Sequence, residues 1–573
     1  MTIGGRTLRE RAYIVILLAA SVVLFFAKVG MPLTDGDTAY YAKIARNVVE
    51  SRDWLTLHFL DSDFVDKPPL SIWGIAVSYK LFGVSDWATR GWHSALAVAC
   101  VLLTYALARR FYPPMEAFLG AGLLACSLLF AYMGQVPQQD VPLLFASLVA
   151  FWGFVRYLQT GRLADGLWFF VGSALGVLDR GLQGVVLPGA VAVAYAGFRG
   201  WRRLPVALGA EENGAGAARL QRTLAPALAL GGVVFLVLSV PWFYYGYVKQ
   251  GPAFLDYFFG RGNLRYYQEI APSSPWSALS YFPMLLAAVM PWTAFAFPAL
   301  VLGWRQAFDK EGSLAAGEGR AERDAAHFFG VWFLAAFLIP FGIKWRVIRY
   351  LLPALPPLAI LTGHFLGTRL TDATEGRDDA GLRSAAGGTL ALAGLFVLAL
   401  AAVARPLPQA QAGFVPVALP FLSVFVLALA GSALAILVLR RPRLSLAVMA
   451  VGALLAYLVL FTQAERHHYL LNPWPEPARV VNAEAGPGDR VLYAGGWQNP
   501  FVHYYVKRPV ELVSGESLAE TLRQEARGGG GRVFLLGEGG ALDAYLAVPW
   551  EAPVEVRRFP GGVILAVVGQ ATR

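Results

Sequence analysis

The chain has 573 residues, 57% hydrophobic and 15% charged, with a mean hydropathy of +0.51. So few charges exclude an ordinary soluble protein, in which about a quarter of residues are charged. A net charge of +10 would suit nucleic acid, but the Arg residues cluster between apolar runs, the pattern of membrane topology.

A bilayer core takes about 20 apolar residues per helix, and by that measure the chain holds about thirteen spans. They centre near residues 12–31, 88–108, 115–133, 140–158, 165–179, 182–198, 224–245, 278–302, 326–342, 350–368, 387–404, 414–439 and 444–463. The first run follows three Arg, but no small-residue cleavage pattern precedes the acidic stretch beyond it. It reads as an uncleaved helix. Cys100 and Cys126 lie inside apolar runs, which predicts neither a disulfide framework nor a Cys-based metal site.

Clusters such as Arg6, Arg9 and Arg11, Arg109 and Arg110, and Arg440, Arg441 and Arg443 put alternate connections on the cytoplasmic side. The N-terminus is then cytoplasmic and the C-terminus external. Two long external segments follow, 32–87 and 246–277, together with the tail. Residues 1–470 read as a membrane domain and 475–573 as an external α/β domain. In the tail, Arg490–Ala494, Val510–Val513, Arg532–Leu536 and Val563–Val568 read as buried strands, Ser517–Ala526 as a helix and Gly528–Gly531 as a loop. No nucleotide fingerprint accompanies them.

Polar chemistry gathers on the external side. Thr34-Asp35-Gly36-Asp37 resembles a capping box, and Tyr40, Tyr41, Ile44, Ala45 and Val48 continue it as a short amphipathic helix along the membrane surface. Asp37 and Tyr41, four apart, share a face. Carboxylates at a membrane edge are costly unless paired or functional, and a partly buried one acts readily as a general base. Asp140, in Gln135-Val136-Pro137-Gln138-Gln139-Asp140, reads as a helix N-cap and a second acid. Lys67, Arg180, Arg261, Arg265, Lys344, Arg346 and Arg349 sit externally, against the topological rule. Cations there suit a lipid phosphate; anchoring to anionic phospholipid and an Arg180–Asp179 pair are the plainer readings. His58 and Glu269 have no metal-ligand spacing, and adjacent His467 and His468 point apart on a helix.

Asp53-Trp54, Asp66-Lys67-Pro68-Pro69-Leu70, Phe82-Gly83-Val84 with Arg90, and Arg349-Tyr350-Leu351-Leu352-Pro353 resemble bacterial members of the protein O-mannosyltransferase superfamily. The lipid A aminoarabinose transferases, membrane glycosyltransferases of GT-C type, are the nearest group. The resemblance implies a multi-pass helical protein of the bacterial inner membrane with a periplasmic C-terminal α/β domain. It implies sugar transfer from a polyprenyl-phosphate donor on the periplasmic face. Its first acid falls on Asp37 and its second on Asp140; its cations fall on Lys67, Arg180 and Arg346, with Arg349 and Tyr350 adjacent. Where the family carries Glu after the first acid, this chain has Thr38, so Asp35 substitutes or the acceptor differs.

The mechanism expected from these residues has Lys67, Arg346 and Arg349, helped by Arg180, Lys344 and Tyr350, holding the donor phosphate. Asp37, assisted by Asp140 and Asp35, deprotonates or orients the acceptor. Tyr40, Tyr41, Arg261, Arg265 and Glu269 contact donor or acceptor. In-line attack inverts the anomeric centre. Neither cofactor nor metal is expected, and the protein is expected to act as a monomer. The rival readings are a protein or other envelope-glycan glycosyltransferase, a lipid-linked sugar flippase and a structural assembly protein.

Overall fold

The computed structural model describes residues 3–199, 215–265, 279–308, 318–342, 346–375, 380–403, 414–495, 497–513, 531–546 and 553–569. The protein is a multi-pass helical membrane protein. Among the described residues eight helices are long and apolar enough to cross a membrane, or nine if one bent pair counts as a single span. The thirteen expected runs fall largely on helix, but fewer qualify. The run at 115–133 is two pieces, Pro114–Ala125 and Leu128–Met133. The run at 278–302 bends by 110° between Tyr281–Ala288 and Thr293–Ala307. The helix Gln183–Arg199 has only 17 residues.

The two breaks meet. Leu128 N donates to Met290 O at 2.9 Å, and the Tyr457 hydroxyl donates to Cys126 O at 2.8 Å. Backbone groups released at membrane depth must find partners inside the protein, and here each break supplies part of what the other lacks.

Burial sorts the helices. The apolar window of Ile348–Ala373 is 89% buried and that of Asp140–Thr160 is 78% buried, so these are central; that of Arg219–Gln250 is 17% buried. An apolar helix with so little cover faces lipid. The central packing is close. A Cβ on Gly363 would stand 2.4 Å from the backbone N of Gly120 on the helix Pro114–Ala125, the small-residue contact that lets membrane helices approach.

Between the N-terminal helix Ile3–Phe26 and the helix Asp86–Ala108 come two shorter helices, α1 and α2 below. Helix α1 (Gly36–Ser51) buries Thr38, Ala39, Tyr41, Ala42, Ile44, Ala45 and Val48, a helical stripe. It stops at Arg52, whose φ of 61° and ψ of 14° are left-handed. The hairpin β1 (His58–Phe59) and β2 (Ser62–Asp63) follows. Helix α2 (Leu70–Phe82) was not expected within the external segment 32–87. Its apolar inner face joins Tyr41, Trp242, Phe243, Phe254 and Phe258 in a core separate from that of the bundle.

The C-terminal region is a five-stranded mixed sheet of β3 (Arg490–Ala494), β4 (Glu511–Val513), β5 (Val533–Glu538), β6 (Val554–Phe559) and β7 (Val563–Val568), in the order β4-β3-β5-β7-β6. β3 pairs in parallel with β4 and β5; β7 pairs antiparallel with β5 and β6. The four expected strands are present within a residue or two. β6 was missed because none of its residues is buried and charged residues interrupt it, which leaves no apolar run to read. The expected helix Ser517–Ala526 lies outside the described residues. Tyr493, Phe534 and Leu565 pack into one core and Leu492, Leu535 and Ile564 into another, so the central strands are covered on both faces.

Gly363→Ala should lower stability in detergent by about 1–3 kcal/mol through overpacking, read as a lower thermal midpoint. Gly330→Ala, whose Cβ would meet nothing within 4 Å, should not lower it.

Candidate functional site

The polar site forms where α1 meets the ends of two bundle helices, α3 (Asp140–Thr160) and α4 (Leu163–Arg180). The cap expected at Thr34 is displaced by one residue. Asp35 is the N-cap of α1, and its carboxylate accepts from Thr38 N at 3.1 Å. The same Oδ1 accepts from Gln138 Nε2 at 2.7 Å. Gln138 Oε1 in turn accepts from the Arg349 guanidinium. Arg349, Gln138 and Asp35 therefore form one chain across three parts of the sequence.

Asp140 is not the cap of α3; Gln139 occupies that position with no side-chain cap bond. The Asp140 carboxylate is inside the first turn and pairs with Arg180 at 2.5 Å, with side-chain exposures of 3% and 14%. The plainer reading of Arg180, a pair with its neighbour Asp179, gives way to this pair with Asp140. Asp179 accepts from Ser71 Oγ at 2.5 Å, because residues adjacent on a helix do not face each other. The Arg180 guanidinium lies over the Tyr350 ring at 5.6 Å.

Asp37 stands apart. It is the one of the three acids that is exposed, yet burial is the main cause raising its pKa above the usual carboxylate value, with Asp35 adding to it. A carboxylate that water can touch while protein crowds it lines a recess rather than a flat surface. Arg349 and Lys67 act in the opposite sense and Asp66 with Asp35, so all four charges bear on Asp37. Tyr41 is buried, and its pKa is raised by burial and then by Asp37, Asp66 and Asp140, with Arg180 opposing. Its side chain is withdrawn from solvent and offers no open ligand position. Behind Asp37, Thr38 is buried and its hydroxyl has no hydrogen-bond partner among the described residues.

Lys67 is partly exposed and pairs with Asp66 at 2.9 Å. Tyr40 stacks on Phe59 with ring centroids 3.9 Å apart. Arg346 donates to Pro340 O at 3.2 Å and lies 5.4 Å from the Tyr281 ring centre. Two buried atoms, Asp140 Oδ2 and Arg349 Nε, have no hydrogen-bond partner among the described residues. Lys344 and Glu269 lie outside the described residues. Arg261 and Arg265 belong to the helical turn Asp256–Arg265, but their side chains also lie outside them. Among the described residues no group of three or more His, Cys, Asp or Glu is placed to hold a metal.

Reading the sequence missed Gln138, the link between Asp35 and Arg349. Its signal was present: Gln135, Gln138 and Gln139 interrupt two apolar runs without a charge, and buried amides have to bond to something. Arg90 was noted only as part of a motif. It is buried on the helix Asp86–Ala108, and its guanidinium donates to Met31 O and, at 2.7 Å, to Pro32 O, which holds the approach to α1.

Residues 66–208 match the family described as dolichyl-phosphate-mannose-protein mannosyltransferase. The crystal structure of ArnT from Cupriavidus metallidurans bound to undecaprenyl phosphate superposes with a TM-score of 0.75 at 20% identity, covering 97% of this chain and 98% of that one. The fold is that of ArnT. A second solved structure, the Archaeoglobus fulgidus oligosaccharyltransferase, gives a TM-score of 0.50 at 12% identity, over 87% of this chain and 64% of that one. The undecaprenyl phosphate-alpha-4-amino-4-deoxy-L-arabinose arabinosyl transferase of Pseudomonas paraeruginosa is 29% identical over 384 residues, 64% of this chain and 60% of that protein. An uncharacterized protein of Aquifex aeolicus is 26% identical over 361 residues, 62% of this chain and 64% of its own length. The matches thus span about three fifths of these curated relatives. The resemblance read from the motifs, to GT-C membrane glycosyltransferases of the aminoarabinose-transferase group, is borne out.

Asp140→Ala should destabilise the protein by about 3–5 kcal/mol, since it strands a buried guanidinium. The double variant with Arg180→Ala should recover part of that loss in detergent unfolding.

Proposed function

We propose that this protein transfers a sugar from a polyprenyl-phosphate donor to a cell-envelope acceptor of the lipid A class. The observation that carries the reading is the setting of Asp37: an accessible carboxylate in a crowded recess, in the field of Lys67 and Arg349. The shared fold with ArnT, solved with undecaprenyl phosphate, and the arabinosyl transferases among the relatives support the choice of donor. The reading places the N-terminus in the cytoplasm and the site on the periplasmic face. Residues 1–470 act there as the transferase domain and 475–573 as a periplasmic domain.

In this reading Lys67, Arg346 and Arg349 hold the donor phosphate, and Arg180 is kept in place by Asp140. Fixed cations stabilise the charge that develops on the leaving phosphate without reorganising during the step. The bond between the anomeric carbon and the phosphate oxygen breaks as a bond to the acceptor oxygen forms on the opposite side, which inverts the centre. Polyprenyl phosphate leaves with the electron pair. If the acceptor is a hydroxyl, its proton passes to Asp37, whose raised pKa makes it the stronger base. If the acceptor is a phosphate, it is already ionised and Asp37 orients it. Asp35 is engaged by Thr38 N and Gln138 and supports the helix start. A protein hydroxyl is the second reading, favoured by the mannosyltransferase family match over residues 66–208.

With membranes supplied with polyprenyl-phosphate sugars, Asp37→Asn should abolish transfer while donor binding survives. Full activity in that variant would sink the assignment. Mass spectrometry of lipid A and of periplasmic proteins, with and without the protein, separates the two acceptor classes.

For a hydroxyl acceptor, the acid limb of the transfer rate should lie above the ordinary carboxylate value of about 4. Asp37 must be ionised to take the proton, and burial with Asp35 raises its pKa. Lys67→Ala should move that limb further up, because Lys67 is one of the two cations holding it down, and should weaken donor binding. A limb that stays in place together with unchanged donor affinity would remove Lys67 from the site.

A further inference from the structure

Between the N-terminal helix Ile3–Phe26 and α1 runs a connection whose last residues, 31–35, lead directly into the acids. Four of its backbone groups are paired from outside. Arg90 takes the carbonyls of Met31 and Pro32. Leu33, fully buried, has both of its backbone groups taken by the C-terminal region: its N–H donates to the Tyr505 hydroxyl at 2.7 Å, and its carbonyl accepts from Asn472 Nδ2 at 2.6 Å. The Tyr505 hydroxyl itself donates to Asp86 Oδ1 at 3.1 Å, at the start of the helix Asp86–Ala108. Tyr505 ends the short helix Pro500–Tyr505, and its carbonyl is held by Asn482 Nδ2 at 2.8 Å, on the helix Pro475–Glu484 that packs under the sheet.

We propose that Tyr505 is a positioning residue: through Leu33 it sets where Asp35 and Asp37 stand, so that the C-terminal sheet fixes the geometry of the recess in the bundle. The catalytic consequence rests on the reading of Asp37 above. A connection outside any helix or strand stays in one place only while its polar backbone groups are satisfied. Leu33 lies two residues before the cap of α1, so a displacement there is carried into the first turn. The donor-side cations Lys67 and Arg349 belong to other segments, and Arg349 meets the start of α1 only through Gln138.

The test uses the full chain in detergent or nanodiscs and two variants with the same chemical change. Y505F removes the acceptor of the Leu33 N–H. Y504F alters the neighbouring tyrosine, whose hydroxyl meets Thr89 at 3.1 Å and Tyr79 at 3.4 Å in the same interface. Hydrogen exchange across residues 33–38 should quicken about tenfold in Y505F, the effect of one lost buried hydrogen bond. It should not quicken in Y504F, and β5 and β7 should stay protected in both. In Y505F kcat should fall about tenfold, as expected when a reacting group is displaced, with the KM for the polyprenyl-phosphate donor unchanged. Unchanged exchange at 33–38, or loss of protection in β5 and β7 as well, overturns the proposal. Exchange needs no substrate, so its outcome is independent of the Asp37→Asn experiment. Faster exchange with kcat intact overturns the catalytic half.

Discussion

The pair between Asp140 and Arg180, 2.5 Å apart and nearly removed from solvent, sets the terms for the polar end of the bundle. Removing one partner of such a pair costs several kcal/mol, because the other is left charged and dry. Helix-end effects act in the same direction but are smaller. Asp140 lies in the first turn of its helix and Arg180 in the last turn of the next, positions worth roughly 0.3–1 kcal/mol each. The pair therefore holds the two helix ends together, and the dipoles only favour the choice of residues. Around it the other polar groups are arranged by the same requirement. Asp35 bonds to a backbone N–H and an amide, and Asp179 takes a serine hydroxyl. With these acids engaged, Asp37 is the acid left open to solvent beside Arg349 and Lys67.

The membrane scaffold supports this arrangement by keeping irregular backbone out of lipid. The breaks at Cys126 and near Met290 lie against each other and against Tyr457. The helix Ile348–Ala373, which packs on Pro114–Ala125, is the most buried of the candidate spans, while the long helix Arg219–Gln250 presents Leu228, Val233 and Val237 outward. The second core, under α1 and α2, is rich in aromatic residues and sits where the segment 32–87 folds back on the C-terminal end of that long helix. Trp242 Nε1 donates to Leu55 O at 3.1 Å and Lys249 to Thr56 Oγ1 at 3.1 Å. The acids thus stand on a helix with its own packing, braced by the bundle on one side and by the C-terminal sheet on the other.

Much of this was legible in the sequence because it rests on local patterns. The apolar runs, the amphipathic stripe of α1 and the strands β3, β5 and β7 each carry a period or a composition that sterics impose. The long-range partners were not legible. Gln138 meets Asp35 and Arg349 only because three distant segments converge, and no spacing encodes that. The Arg180–Asp179 pairing failed for a local reason that could have been applied: neighbouring helical residues diverge. Helix α2 was missed because its 13 residues are too few for a span and too apolar for a surface loop. The capping error at Thr34 was a one-residue choice between two good capping residues, Thr34 and Asp35. It was settled by Asp35, whose carboxylate also reaches Gln138.

Thr38 bears on the chemistry more than its size suggests. Resemblance places an acid at this position, but here the side chain is buried and its hydroxyl is without a partner among the described residues. A carboxylate in that space would be desolvated beside Asp35 and Asp37, and like charges that close raise one another's pKa. It would ionise only with a cation drawn in to match it. Arg180 and Arg349 are already engaged by Asp140 and Gln138, and Lys67 by Asp66. The packing behind Asp37 is therefore suited to a small neutral side chain, with a single open carboxylate in front of it.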